Sequence, residues 1–124
     1  MSYEMVTQGP RNLGYVLSDA GSISYDTITV VAGSGVLEPG TVLGQITASK
    51  KYGPSPATGA TGAETAKAVL AYGIDATTAD VDVPVTARLS EVKKPKLIVD
   101  ATVNDATKLA AKHAQLAAAF IIAR

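Results

Sequence analysis

The single histidine, His113, is the side chain best suited to move protons at neutral pH, because an unperturbed imidazole titrates at about 6.5. A working base also needs a nucleophile or an orienting carboxylate within reach. The sequence sets neither beside it. His113 stands on the apolar stripe of an Ala-rich segment, the setting of a packed core residue. The closest carboxylate pair is Asp80 and Asp82, next to Thr77-Thr78. Without ligands from elsewhere those two cannot hold even a weak metal ion, and they read as a solvated turn entering a strand. Cysteine is absent, which excludes a disulfide, a thiolate zinc site, a redox pair and a Cys nucleophile together. No HExxH, GxSxG or DxDxDG pattern occurs.

Two glycine patterns invite comparison with phosphate-binding loops. Gly33-Ser34-Gly35 begins a GxGxx series, but Glu38 fills the sixth position and Pro39 follows where a helix should open. Gly35 and Gly40 have the GxxxxG spacing, yet Thr41-Val42 stands where Lys and Ser/Thr must reach phosphate and magnesium. Both fail on mechanism. Lys93, Lys94 and Lys96 form a small basic cluster, broken by Pro95 and free of interleaved aromatics, as in a solvated loop. The expectation is therefore a binding or structural module rather than an enzyme, with no catalytic residue, no cofactor and no metal.

Bulk composition agrees with that reading. The 124 residues make about one domain. Eleven Lys plus Arg balance eleven Asp plus Glu, which argues against a partner that is nucleic acid or an anionic membrane. Alanine occurs 21 times and contributes little buried area, so a thin core gains from oligomerisation. The start, Met1-Ser2-Tyr3-Glu4-Met5, lacks the basic and apolar regions of a signal peptide. The longest apolar run, Leu116 to Ala123, is too short to cross a bilayer. Synthesis in the cytoplasm is the expectation.

The elements that would position any site come next. Ser22–Ala32 is rich in β-branched residues, with a change of parity between Tyr25 and Ile28 that predicts one or two strands and a bulge or corner. Glu38-Pro39-Gly40 predicts a turn, and Thr41–Ala48 a strand interrupted by Gly44, where another backbone can approach closely. Gly53–Ala63 predicts a long, mobile surface loop. Thr65–Tyr72 fits helix or strand equally well. Val81–Leu89 alternates as a half-buried strand, with Pro84 favouring a sheet edge. Lys96–Val99 is a further short apolar stretch. Near the end, Thr102 or Asn104 can cap a helix with Asp105 in its first turn, and Leu109, His113, Leu116 and Phe120 share one face. Ile121–Arg124 reads as a terminal strand. The fold class is α+β and mostly β: one small domain of short strands with a single C-terminal helix.

Residues 1–22 have no sustained period, yet Tyr3, Met5, Val6, Leu13 and Tyr15 are scattered through them. They either cover the domain's own surface or form an extended arm that orders on a partner. Stretched out, such an arm reaches about 70 Å. The expected organisation is an arm over 1–22 and a domain over 23–124.

In order along the chain, Asp26–Gly33, Val36–Ala48, Lys51-Tyr52, Gly62–Ala66, Val69–Tyr72, Ile74–Ala76, Asp82–Ala87, Ala114–Ala117 and Ile121–Arg124 resemble the phage lambda-type head decoration protein family. The resemblance runs from about Tyr25 to the end. Its specificity lies in the ordered series, with a Gly/Pro/Ala loop in the middle, rather than in any one stretch. Phe120 departs from a helix end that is often Gly in the family, and Lys93–Lys96 replaces a compact turn ending in Asn. The resemblance implies a β-tulip-like fold and a capsid cement protein. Such a virion protein is a homotrimer that binds the major capsid protein on the outside of the expanded head and stabilises it against DNA pressure. Tyr3, Met5, Val6, Leu13 and Tyr15 are the expected capsid-binding anchors. An alternative is a biotinyl/lipoyl-like carrier or adaptor β-barrel, suggested by the Pro39–Ile46 turn and strand, although Lys50-Lys51 lacks the flanking residues of a modified lysine.

Overall fold

The computed structural model describes residues 12–124. Ten strands and one α-helix make it up. Five strands close a barrel in the order β2 (Tyr25–Val30), β5 (Tyr52–Pro54), β4 (Val42–Gln45), β6 (Ala66–Leu70) and β8 (Val81–Thr86). Only the β2–β5 contact is parallel. Alternation builds the longest seam, where Ile28 and Val30 of β2 stand opposite Val83 and Val81 of β8. Val30, Val83 and Val85 point into the barrel core with Leu37, Leu43, Ala68, Leu70 and Ala76. On the other face Thr29 Oγ1 donates to Asp82 Oδ1 at 2.6 Å.

The mostly β architecture with one helix near the C-terminus matches the expected class, and several local rules hold. The Thr41 N–H donates to the Glu38 carbonyl at 3.2 Å across the Pro39-Gly40 turn, and Gly40 takes φ +96°. A Cβ on Gly44 would lie 2.0 Å from the Ala63 carbonyl oxygen, so the interruption in β4 is a close backbone approach. Ser22 to Ser24 lie in a 3-10 turn (Gly21–Ser24), but the expected bulge or corner between Tyr25 and Ile28 is not there: β2 pairs with β8 in unbroken register from Tyr25 to Val30, and the two side chains stand on opposite faces of one strand. Thr65–Tyr72 resolves as strand β6. Its residues contribute to two cores, so no clean period of two separated strand from helix in the sequence.

Other expectations change. The segment expected as a loop from Gly53 begins inside barrel strand β5, paired with β4 on one side. Pro84 does not mark a sheet edge, because β8 is paired with both β2 and β6 in the closed barrel. Proline fits there since the β6–β8 ladder ends beside it. Ala71 N–H donates to the Pro84 carbonyl at 3.2 Å, and the Ala71 carbonyl, which Pro84 cannot serve, accepts the Leu13 N–H at 2.9 Å. The helix α1 spans Ala106–Ala118, and its cap is Asp105, whose carboxylate accepts the Lys108 N–H at 2.8 Å. Neither Thr102 nor Asn104 caps it.

A second half covers the barrel's outer face. There β1 (Val16–Ser18), β9 (Ser90–Val92) and β10 (Ile121–Ala123) form a sheet, with β1 antiparallel and β10 parallel to β9. With α1 they enclose Tyr15, Val42, Ala66, Val69, Val92, Leu116 and Ile121. A two-stranded piece, β3 (Gly35–Leu37) with β7 (Ile74–Ala76), adds Leu37, Ala76 and Ile74 to the barrel core. Ile121–Arg124 is thus a terminal strand, as its residue types suggest.

Candidate interaction surfaces

The residues with chemical potential are spoken for structurally. His113 is half-buried on α1, and its Nε2 is buried with no hydrogen-bond partner. Burial, reinforced by the positive charge of Lys94, holds its pKa below the usual imidazole value, so it packs neutral. Asp80 and Asp82 take separate partners rather than converging. Asp80 accepts from Lys51 Nζ at 2.6 Å and from the Ala32 N–H at 2.8 Å, while Asp82 takes Thr29. The Lys51 hydrogen bond leads in pulling the Asp80 carboxyl below the ordinary range. Among the described residues no three His, Asp or Glu side chains are grouped to hold a metal ion.

The glycine patterns serve connections. Gly33 N–H donates to the Ala76 carbonyl at 2.7 Å, tying the barrel to β7. Lys50 lies exposed between β4 and β5 with φ +62°. At Lys93–Lys96 the backbone holds both ends of the domain: Lys93 N–H donates to the Tyr15 carbonyl at 2.7 Å, and Lys94 N–H to the Arg124 carbonyl at 3.0 Å. Lys94 and Lys96 themselves face solvent.

Of the five expected anchors, Tyr3, Met5 and Val6 lie outside the described residues. Tyr15 is 2% exposed, inside the second core. Its hydroxyl shares a 2.6 Å hydrogen bond with Thr86 Oγ1 and lies 3.3 Å from the Val69 carbonyl. Burial pushes its pKa up to about 12. Leu13 is half-buried, with φ +59° and its N–H on the Ala71 carbonyl. Asn12 Oδ1 accepts the Gly73 N–H at 3.1 Å. Residues 12–18 are therefore laid on the domain, where the sequence reading began the domain at 23. The reason is that a buried Tyr and a short strand inside an aperiodic stretch give no period to detect.

Lys112 went unnoticed in the sequence. It is 2% exposed, and its ammonium donates to Ser55 Oγ at 2.8 Å, to the Pro56 carbonyl at 2.6 Å and to the Glu64 carbonyl. Gln115 Oε1 is 3.4 Å away. Burial lowers its pKa, while Glu64 and Asp100 pull the other way. The available signal was its spacing, three residues after Leu109 and four before Leu116, on the stripe that faces the domain. This one side chain ties the loop between β5 and β6 to the helix.

A family model for bacteriophage lambda head decoration protein D matches residues 5–121. The chain belongs to the lambda head decoration protein D family. As a head decoration protein it has a structural, capsid-associated role and is a component of the phage virion. No curated protein matches the chain. No helix among the described residues is long and apolar enough to cross a membrane.

Proposed function

We propose that this head decoration protein binds as a homotrimer to the outside of the expanded phage head and stabilises it against the pressure of packaged DNA. The family match over residues 5–121 carries the reading. Supporting it, the Ala-rich composition leaves a thin core that gains from contacts between copies, and balanced charge lets many copies crowd together on one shell. The partner is the major capsid protein, contacted by the N-terminal segment through Tyr3, Met5 and Val6. Leu13 and Tyr15, the other two residues of the expected set, are fastened to the domain through Ala71 and Thr86 and hold the start of the described chain in place. A segment of this kind can add a strand to a capsid sheet edge, gaining main-chain hydrogen bonds at the cost of ordering. Three such segments on one trimer make each later contact intramolecular. A ligand that binds only the expanded shell stabilises that shell by mass action.

Light scattering of the purified protein, alone and with expanded empty shells, tests this reading. A trimeric mass and saturable binding to expanded shells are expected. A monomer that ignores those shells would overturn it.

A further inference from the structure

Strand β3 has one neighbour among the described residues, β7, so its other edge carries no strand. A cleft of about 520 Å³ lies along β3, lined on one side by Val36 and Glu38 and on the other by Ile98 and Asp100. No β7 residue lines it, so the cleft follows the unpaired edge. Its far wall is fixed to the barrel. Val42 N–H donates to the Ile98 carbonyl at 2.8 Å, and Ile98 N–H to the Gly40 carbonyl at 2.9 Å. The N–H and carbonyl of Val99, next along that wall, have no hydrogen-bond partner among the described residues.

Unpaired N–H and C=O groups on a sheet edge are a template for a further strand, and proteins commonly blunt them with lysine or proline. β3 is short but has neither. It carries Val36, which at 73% is the most exposed large apolar side chain among the described residues.

Charge points to the chemistry of the occupant. Glu38 and Asp100 are the charged groups lining the cleft, and neither forms an ion pair among the described residues. Asp100 Oδ2 accepts from the Thr102 N–H at 3.1 Å and from Thr102 Oγ1 at 2.6 Å, both neutral donors. Lys112, the cation that Asp100 influences, is buried with its ammonium on Ser55 and Pro56. Lys96 adjoins Gly40 through its backbone carbonyl, and its side chain does not line the cleft. An extended segment with apolar side chains and a lysine or arginine complements both Val36 and the two carboxylates.

Position points to the owner of that segment. Asn12 Oδ1 accepts the Gly73 N–H at 3.1 Å, and a Cβ on Gly73 would lie 3.7 Å from the Leu37 carbonyl oxygen. Residues 1–11 therefore join the domain at the end of β3, and a shell engaged by them is brought to the cleft.

We propose that the cleft along β3 receives an extended, lysine- or arginine-bearing segment of a major capsid subunit, added as a strand beside β3. The inference rests on the shell-binding reading and names a second contact for it.

Co-sedimentation of the full chain with expanded empty shells, over a concentration series, tests this. Glu38→Gln combined with Asp100→Asn removes both charges and keeps the side-chain shapes. It should weaken shell binding about tenfold at low salt, with the gap to wild type closing as salt is raised. Val36→Lys, at an exposed site, sets a like charge against the incoming segment and should also weaken binding about tenfold. Without shells, both variants should match wild type in circular dichroism, melting temperature and light-scattering mass. If wild type binds shells and the two variants bind as well as it does, the inference falls and the shell-binding reading stands. If wild type ignores expanded shells, both fall. A variant that melts lower or changes its oligomeric mass without shells would assign the cleft to this chain's own residues 1–11 or to a second copy. That result also overturns the inference.

Discussion

The barrel holds together through closed backbone ladders and aliphatic side chains, whereas the half built from β1, β9, β10 and α1 adds to its own ladders and apolar core a few buried polar contacts that tie it to its surroundings. In the barrel, Val30, Leu43, Leu70 and Val85 are fully buried, and the seam between β2 and β8 runs through six consecutive pairs. Across the boundary, one tyrosine hydroxyl meets Thr86, and one lysine ammonium binds the loop to the helix. Strained Leu89 and Phe120, and most of the exposed apolar side chains, also lie in or beside that second half. The division is between a closed scaffold and an outer layer laid over it. Closure satisfies the barrel strands on both sides, which frees the outer layer to carry features that cost stability.

Substitutions can break or sharpen that contrast. The largest effect is expected at Gly44→Ala, because the new Cβ would lie 2.0 Å from the Ala63 carbonyl oxygen in the barrel wall. Denaturant unfolding should show a loss of about 4 kcal/mol or more. Lys112→Ala comes next, at about 3 kcal/mol, since it opens a cavity and leaves the Pro56 and Glu64 carbonyls without their donor. Hydrogen exchange in this variant should quicken in residues 55–64 and α1 while the barrel strands stay protected. Uniform quickening would mean that the two halves are one cooperative unit.

The smallest effect is a pH dependence at His113. Its folded pKa lies below the unfolded value of about 6.5, so below that pH the unfolded chain binds more protons than the folded one. Stability from this group is fully present above the unfolded pKa and is lost as pH falls through the folded one. His113→Gln should change stability at pH 7 by less than about 1 kcal/mol and flatten the decline that sets in as pH falls below about 6.5. An unaltered slope in thermal melts would place the proton uptake elsewhere.

Legibility followed the same division. The alternation of Val81, Val83 and Val85, the Pro39-Gly40 turn and the close approach at Gly44 were readable because a half-buried strand and a tight turn each restrict residue type locally. Residues 66–70 were ambiguous since a strand buried on both faces loses its period of two. In the second half the determinants are long-range. Nothing near Tyr15 announces Thr86, 71 positions away, and nothing near Lys112 announces Ser55. Phe120 was visible as a departure from a glycine helix end, but its exposure and its level with Leu89 required the fold. The family was readable from the ordered series of segments, because that order survives where single motifs are common.

The account turns on attachment to the head by the N-terminal segment. Co-sedimentation with expanded empty shells, comparing the full chain with one lacking residues 1–11, measures this directly. The shortened chain retains Leu13, Tyr15 and β1, so it should melt with the full chain, keep its trimeric mass and fail to pellet with shells. Equal pelleting of the two chains would contradict the account.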